Sequence, residues 1–144
     1  MRPHLQFHQT AERLKSYDMR PGHELLGGTV PVSSPTRARR FFQRYAEPGR
    51  AGFVHVTLSA PEGLWLSRPQ WLAVFRSVLA RHGLPPDMTP WLLVRHTDAA
   101  CDHAHGFAAL CTILGFPLCP NTSPAHTDAT HRRLARRLGL EEPH

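Results

Sequence analysis

The chain has no apolar run near the roughly 20 residues needed to span a bilayer, so membrane insertion is not expected. Its first stretch, MRPHLQFHQTAERLK, lacks the apolar h-region of a secretory signal. Cysteine is scarce. Cys101, Cys111 and Cys119 are odd in number and lack the spacing of a disulfide framework. That suits a reducing compartment, and a cytoplasmic location is expected. No internal repeat or change of composition divides the 144 residues. One domain is therefore expected over 1–144, with its core over about 10–140, long enough to bury a real interior. Acidic residues are few, 11 against 17 Lys+Arg, for a net charge of +6, and arginine greatly outnumbers lysine. The excess favours a polyanionic partner, most simply nucleic acid, although solubility alone is the plainer account.

What is present concentrates in Trp91–Leu110, WLLVRHTDAACDHAHGFAAL. An apolar run, Trp91 to Val94, leads into His96-Thr-Asp98; a polar turn and His103-Ala-His105 follow. Side chains alternate across a strand and rise about 3.3 Å per residue, so His103 and His105 fall on one face, about 6–7 Å apart. If the first run pairs with the second as a hairpin, His96 returns beside them. Three imidazoles converging from two strands suit a divalent metal. Eleven histidines are scattered along the chain, so the spacing rather than the residue type carries this reading.

Along the chain, residues 1–8 read as irregular. Thr10 caps a short expected helix, AERLKSY, which Arg20-Pro-Gly22 breaks. Residues 25–30 are extended or a turn. Ser34-Pro35 opens a helix over Thr36–Ala46, with Ala38, Phe41, Phe42 and Tyr45 on an apolar stripe. Phe53–Ser59 reads as a strand, with Phe53, His55, Thr57 and Ser59 on one face and Val54, Val56 and Leu58 on the other. Ser67-x-x-Gln70 is a capping box opening the strongest helix, about 68–82, stopped by Gly83. Residues 117–124 read as loop, and Thr130–Leu138 as a last helix with Leu134 and Leu138 inward. The expected fold is α+β: a single-domain sandwich, its mainly antiparallel sheet carrying helices on one face.

The pattern His96-x-Asp98-x4-His103-x-His105, with Ala104 between the last two histidines, resembles the metal motif of the relaxase/mobilization nuclease family, within the HUH class of single-strand nucleases. Other stretches agree in order. Leu25-Leu-Gly-Gly28 resembles the family's leucine-glycine segment, Phe53–Ser59 with Pro61-Glu-Gly63 its histidine-containing strand and turn, Leu66-Ser67 to Gly83 its long helix, and Arg132–Leu140 its closing basic helix. The resemblance spans roughly residues 12–140. Two stretches depart from the pattern: Gly106–Cys111 is weaker strand text, and Asp18-Met-Arg20 replaces an apolar run.

The resemblance implies an HUH/Rep-like palm and a DNA relaxase: a transesterase that nicks one strand at a transfer origin in plasmid mobilization or conjugation. It implies Mg²⁺ or Mn²⁺ held by His96, His103 and His105, single-stranded DNA as substrate, and accessory mobilization proteins as further partners. The family's nucleophilic tyrosine precedes the leucine-glycine segment by eight or nine residues, and Tyr17 stands eight before Leu25. Tyr17 therefore takes the nucleophile role, and Tyr45 is left to packing. A tyrosine hydroxyl, with its reference pKa near 10, is a weak nucleophile without help. Asp98 shares a face with His96 and is placed in the catalytic group, steadying a ligand imidazole, with general-base action on Tyr17 as the alternative.

Arg37, Arg40 and Arg44, and Arg132, Arg133, Arg136 and Arg137, either track a DNA backbone or form solvated helix faces. His55 borders the histidine face or is a hydrogen-bonded strand histidine. Trp65 and Trp91 are stacking candidates, with packing the plainer reading. Two rival functions remain. One is a strand-binding remnant or accessory protein of the same fold that cuts nothing. The other is a structural zinc site drawing on Cys101, Cys111 and Cys119 with His103 and His105, whose spacings match no standard module.

Overall fold

Phe53-Val-His-Val-Thr-Leu-Ser59 alternates between two sets of side chains, and both sets find cover. Val54, Val56 and Leu58 are fully buried on one face, and Phe53 and His55 on the other. A strand clothed on both sides belongs in the middle of a layered domain. The computed structural model describes residues 1–8, 23–30, 35–45, 52–96 and 101–139. The order of elements is β1 (His4–His8), β2 (His23–Gly28), α1 (Pro35–Gln43), β3 (Phe53–Ser59), α2 (Arg68–Arg81), β4 (Trp91–His96), β5 (His103–Ala109) and α3 (Pro124–Arg137). The fold is α+β: one five-stranded sheet, spatial order β1-β3-β5-β4-β2, with every neighbouring pair antiparallel. Because β3 and β4 both run against β5, they are parallel to each other, and α2 carries the chain across the strand that fills the gap between them.

Helices cover both faces of the sheet, not the single face expected. Against α2 lie Val54, Val56, Leu58, Leu93, Ala104 and Ala108, joined by Trp71, Phe75, Val78 and Leu79 of the helix and Leu134 of α3. On the other face, α1 sets Ala38 and Phe42 against Phe53, Leu92, Val94, Phe107 and Ala109. The Phe42 ring meets Phe107 edge-on at 4.9 Å, and Phe53 stacks on Phe107 at 5.3 Å. Aromatic pairs favour both arrangements.

The small residues that weaken the strand text of β5 are what let α2 approach. A Cβ at Gly106 would stand 2.0 Å from a ring carbon of the fully buried Phe75. Ala104 and Ala108 flank Gly106 on the same face. β-propensity is low here, and packing of a helix on a central strand overrides it.

Other expectations are corrected at the ends. Residues 4–8, read as irregular, form edge strand β1, paired with β3 from His4↔Thr57 to His8↔Phe53. Its alternation is carried by Leu5 and Phe7 alone, and tertiary pairing supplies the rest. The last helix begins at Pro124, six residues before the expected Thr130. Ser123 is its N-cap, accepting from the His126 N–H at 3.2 Å, and Pro124 stands at the first turn. α1 ends at Gln43, with Arg44 and Tyr45 in a turn. The capping box of α2 is as expected, with Ser67 and Gln70 each bonding the other's backbone N–H. The expected helix over 11–17 and the cap Ser34 lie outside the described residues. Among the described residues, no helix is long and apolar enough to cross a membrane.

Candidate metal centre

The β4–β5 register sets His96 directly opposite His103, and Val94 opposite His105. His103 and His105 are two residues apart on β5 and so share a face, as the alternation demands. The three ring centroids lie 4.2–5.5 Å apart. One ligand atom from each histidine falls within 4.8 Å of the others, and all three residues are half-buried. This trio can hold a metal ion. At the usual zinc–nitrogen length of 2.0–2.1 Å, two nitrogens in tetrahedral positions on one ion stand about 3.4 Å apart, so holding an ion takes side-chain movements on the order of an ångström. Three neutral donors leave coordination positions for substrate oxygens.

Hydrogen bonds behind the trio set the tautomers. His103 Nδ1–H donates to the Cys101 carbonyl at 3.1 Å, which leaves Nε2 as the nitrogen with the lone pair. That Nε2 is 2.7 Å from His96 Nδ1. His105 Nδ1 is 2.9 Å from His55 Nε2, and the two rings stack at 5.0 Å with 19° between planes. His55 Nδ1 in turn faces Gln6 Oε1 at 3.4 Å. With Gln6 accepting from His55 Nδ1–H, His55 Nε2 accepts from His105 Nδ1–H, and His105 Nε2 keeps its lone pair. His55 is 2 % exposed. It is thus the hydrogen-bonded strand histidine and also the group behind a candidate ligand, two roles the sequence reading set against each other. The signal was its phase: odd-numbered positions on β3 share the face of His103 and His105, through Thr57↔His105.

Asp102, immediately before His103, was not singled out from sequence. Its side chain is fully buried on the other face and accepts four hydrogen bonds: Leu66 N–H at 2.7 Å, Trp71 Nε1–H at 3.0 Å, and Arg95 through Nε at 2.9 Å and Nη2 at 3.0 Å. A buried carboxylate so satisfied clamps the starts of β5 and α2 to the end of β4, and so holds His96 and His103 in register.

Tyr17 and Asp98 lie outside the described residues. Tyr45 donates to the Ile113 carbonyl at 3.2 Å, and burial pushes its hydroxyl above the usual tyrosine range, with Cys111 adding to the rise. Both observations fit the packing role expected for it. None of the three cysteines is in a disulfide, and none joins a metal-capable group among the described residues. Cys111 is buried under α1, in the cluster that holds Phe42.

Arg37, Arg40, Arg44, Arg132, Arg133, Arg136 and Arg137 are all exposed. The two groups do not share a surface. α1 lies on the histidine face of the sheet, whereas α3 packs with α2 on the opposite face. There Arg132, Arg133 and Arg136 join Arg81 around a depression of about 340 Å³. Trp91 is core, whereas Trp65 is 50 % exposed. No family model matches the chain, and no curated protein matches it.

Proposed function

We propose that the chain is a relaxase-type nicking enzyme acting on single-stranded DNA, with His96, His103 and His105 as its metal ligands. The observation that supports this most is the trio itself. One ligand atom from each of three half-buried imidazoles lies within 4.8 Å of the others, and two of the rings are backed by hydrogen bonds that turn a lone pair inward. The excess of arginine supports a polyanionic substrate.

In this reading Tyr17 supplies the nucleophile. Its phenolic oxygen attacks the scissile phosphorus as the phenol proton is lost, and the P–O3′ bond breaks. The upstream strand leaves with a free 3′-OH, while the 5′-phosphate stays as a tyrosine ester, so the strand can be rejoined. What a divalent ion supplies at the trio is neutralisation of charge on the non-bridging phosphate oxygens. His55 and the Cys101 carbonyl hold the ligand rings still, so that little reorganisation accompanies the reaction. Asp98 steadies a ligand imidazole or takes the phenol proton.

The test is a covalent-adduct assay on single-stranded origin oligonucleotides, with Mn²⁺ and with chelator. Wild type forms a metal-dependent adduct, and Tyr17→Phe forms none. Adduct retained in Tyr17→Phe overturns the nucleophile assignment. Intact oligonucleotide, bound in a salt-sensitive way, leaves a strand-binding protein that does not cut.

A further inference from the structure

Trp65 stands out on a surface otherwise short of explanation. Its neighbours on both sides are drawn inward: Leu64 packs on the main core, and Leu66 is 3 % exposed. The Leu66 N–H is tied to Asp102 at 2.7 Å. The backbone at Trp65 is therefore held fast while its indole stays half exposed. The Arg95 guanidinium lies over the indole ring, its Cζ 5.9 Å from the centroid. That guanidinium is in turn locked by two bonds to the buried Asp102. A long side chain that would otherwise wander is thus a fixed cationic floor under the ring.

The position matters as much as the rigidity. Arg95 and Asp102 immediately precede His96 and His103 in sequence. The platform and the metal-capable trio are therefore built at the same ends of β4 and β5 but on opposite faces of the sheet, so a single strand that meets both passes round that end. Glu62, Gly63, Ser67 and Arg68 around Trp65 in sequence are exposed and mostly polar. A lone aromatic ring in such surroundings suits one planar ligand ring better than the broad apolar patch of a protein interface.

We infer that Trp65 is a stacking platform for an unpaired nucleobase of a strand that passes round the end of the sheet from the histidine face, with Arg95 and Asp102 as the residues that position it. Stacking on an indole is sequence-tolerant, because every base offers a π-face. This rests on the single-strand reading above, and its test is one of binding rather than cleavage.

Trp71 and Trp91 are 0 % and 2 % exposed, so Trp65 is the one tryptophan that solvent and ligands reach. A mixed-sequence single-stranded oligonucleotide is titrated in chelator, following intrinsic tryptophan emission and, separately, the anisotropy of a labelled strand. Stacking predicts quenching of most of the solvent-accessible emission at saturation, and little from a duplex of the same sequence. Trp65→Ala should bind the strand about tenfold more weakly, and Trp65→Phe should recover most of that loss. Strand binding by anisotropy with unchanged emission, or equal affinity in Trp65→Ala, overturns the platform while leaving the single-strand reading intact. Equal quenching by duplex also overturns it, as does emission that changes with protein concentration alone, the sign of a second copy covering the ring. Wild type that binds no single strand overturns both readings.

Discussion

His96 and His103 face each other as a direct cross-strand pair, with Nδ1 of the first 2.7 Å from Nε2 of the second. Without a metal, one ring donates in that contact and the other accepts. A cation held by both rings replaces the shared proton. Mn²⁺ or Zn²⁺ is expected to bind one per chain to the wild type and to lose stoichiometric binding in His96→Ala, His103→Ala and His105→Ala. Titration calorimetry with each variant checks this, and Cys111→Ser, remote from the trio, should bind normally.

In the proposed site, His55 would act on a bound ion through His105. His55→Ala removes the 2.9 Å partner of His105 Nδ1 and leaves Thr57 Oγ1, at 3.4 Å, as the weaker contact to that nitrogen. Affinity should fall about 10–100-fold without loss of stoichiometry, the usual scale for groups behind a ligand. His55→Gln, which keeps an acceptor near the same place, should recover part of it. Equal affinity in all three proteins would remove His55 from the site.

Gly106→Ala should destabilise the fold by about 1–3 kcal/mol, because the added methyl meets the Phe75 ring at 2.0 Å. Chemical denaturation measures this. Phe75→Leu, itself destabilising, should make the added Gly106→Ala cost smaller, as a double-mutant cycle would read.

Asp102→Asn keeps the shape of the side chain and removes its charge. Arg95, at 16 % side-chain exposure, then has no counter-charge across two short bonds. The expected loss is about 3–5 kcal/mol, the scale for breaking a buried pair.

His82 carries a pH dependence of stability. It is fully buried, hydrogen-bonded from Nδ1 to the Val78 carbonyl at 2.8 Å, with the His126 ring edge-on at 5.1 Å. Burial lowers its pKa below 6.5, and the nearby charges of His126 and Arg81 lower it further. The unfolded chain therefore takes up a proton before the folded one does. The contribution of His82 is complete above pH 6.5 and is lost as pH falls below that value toward its depressed folded pKa. The slope from this one group is at most about 1.4 kcal/mol per pH unit. His82→Asn, which retains a donor to Val78, should flatten that part of the profile in denaturant melts at pH 5–7.

The histidine trio was legible because strand alternation is a local rule: His103 and His105 need only β5 to be a strand. His96 needed the hairpin as well, which the two apolar runs announced. β1 was not legible, since five residues with three polar side chains carry little pattern of their own. The true start of α3 is written as Ser123-Pro124, the same pair as Ser34-Pro35, but Thr127 and Thr130 face the interior in place of an apolar stripe. Asp102 was hidden by its exposed-looking neighbours. Its burial depends on Leu66, Trp71 and Arg95, which arrive from three separate elements. That the two arginine helices lie on opposite faces follows only from the crossing of α2, which no local pattern encodes. A single DNA strand meeting both must pass around an edge of the sheet.

Among the described residues β5 is the last strand in sequence, and it is the middle strand of the sheet. During synthesis β3 and β4 emerge first, and each waits with a bare edge for the same partner. Nothing joins the two halves of the sheet until residues 103–109 have left the ribosome. Assembly therefore closes in one late step dominated by pairing across the sheet, which is slow and leaves the earlier strands open to mispairing with other chains. The same strand carries His103 and His105. Completion of the fold and assembly of the histidine trio are thus a single event, and a nascent or truncated chain short of β5 lacks two of the three imidazoles and is prone to aggregate.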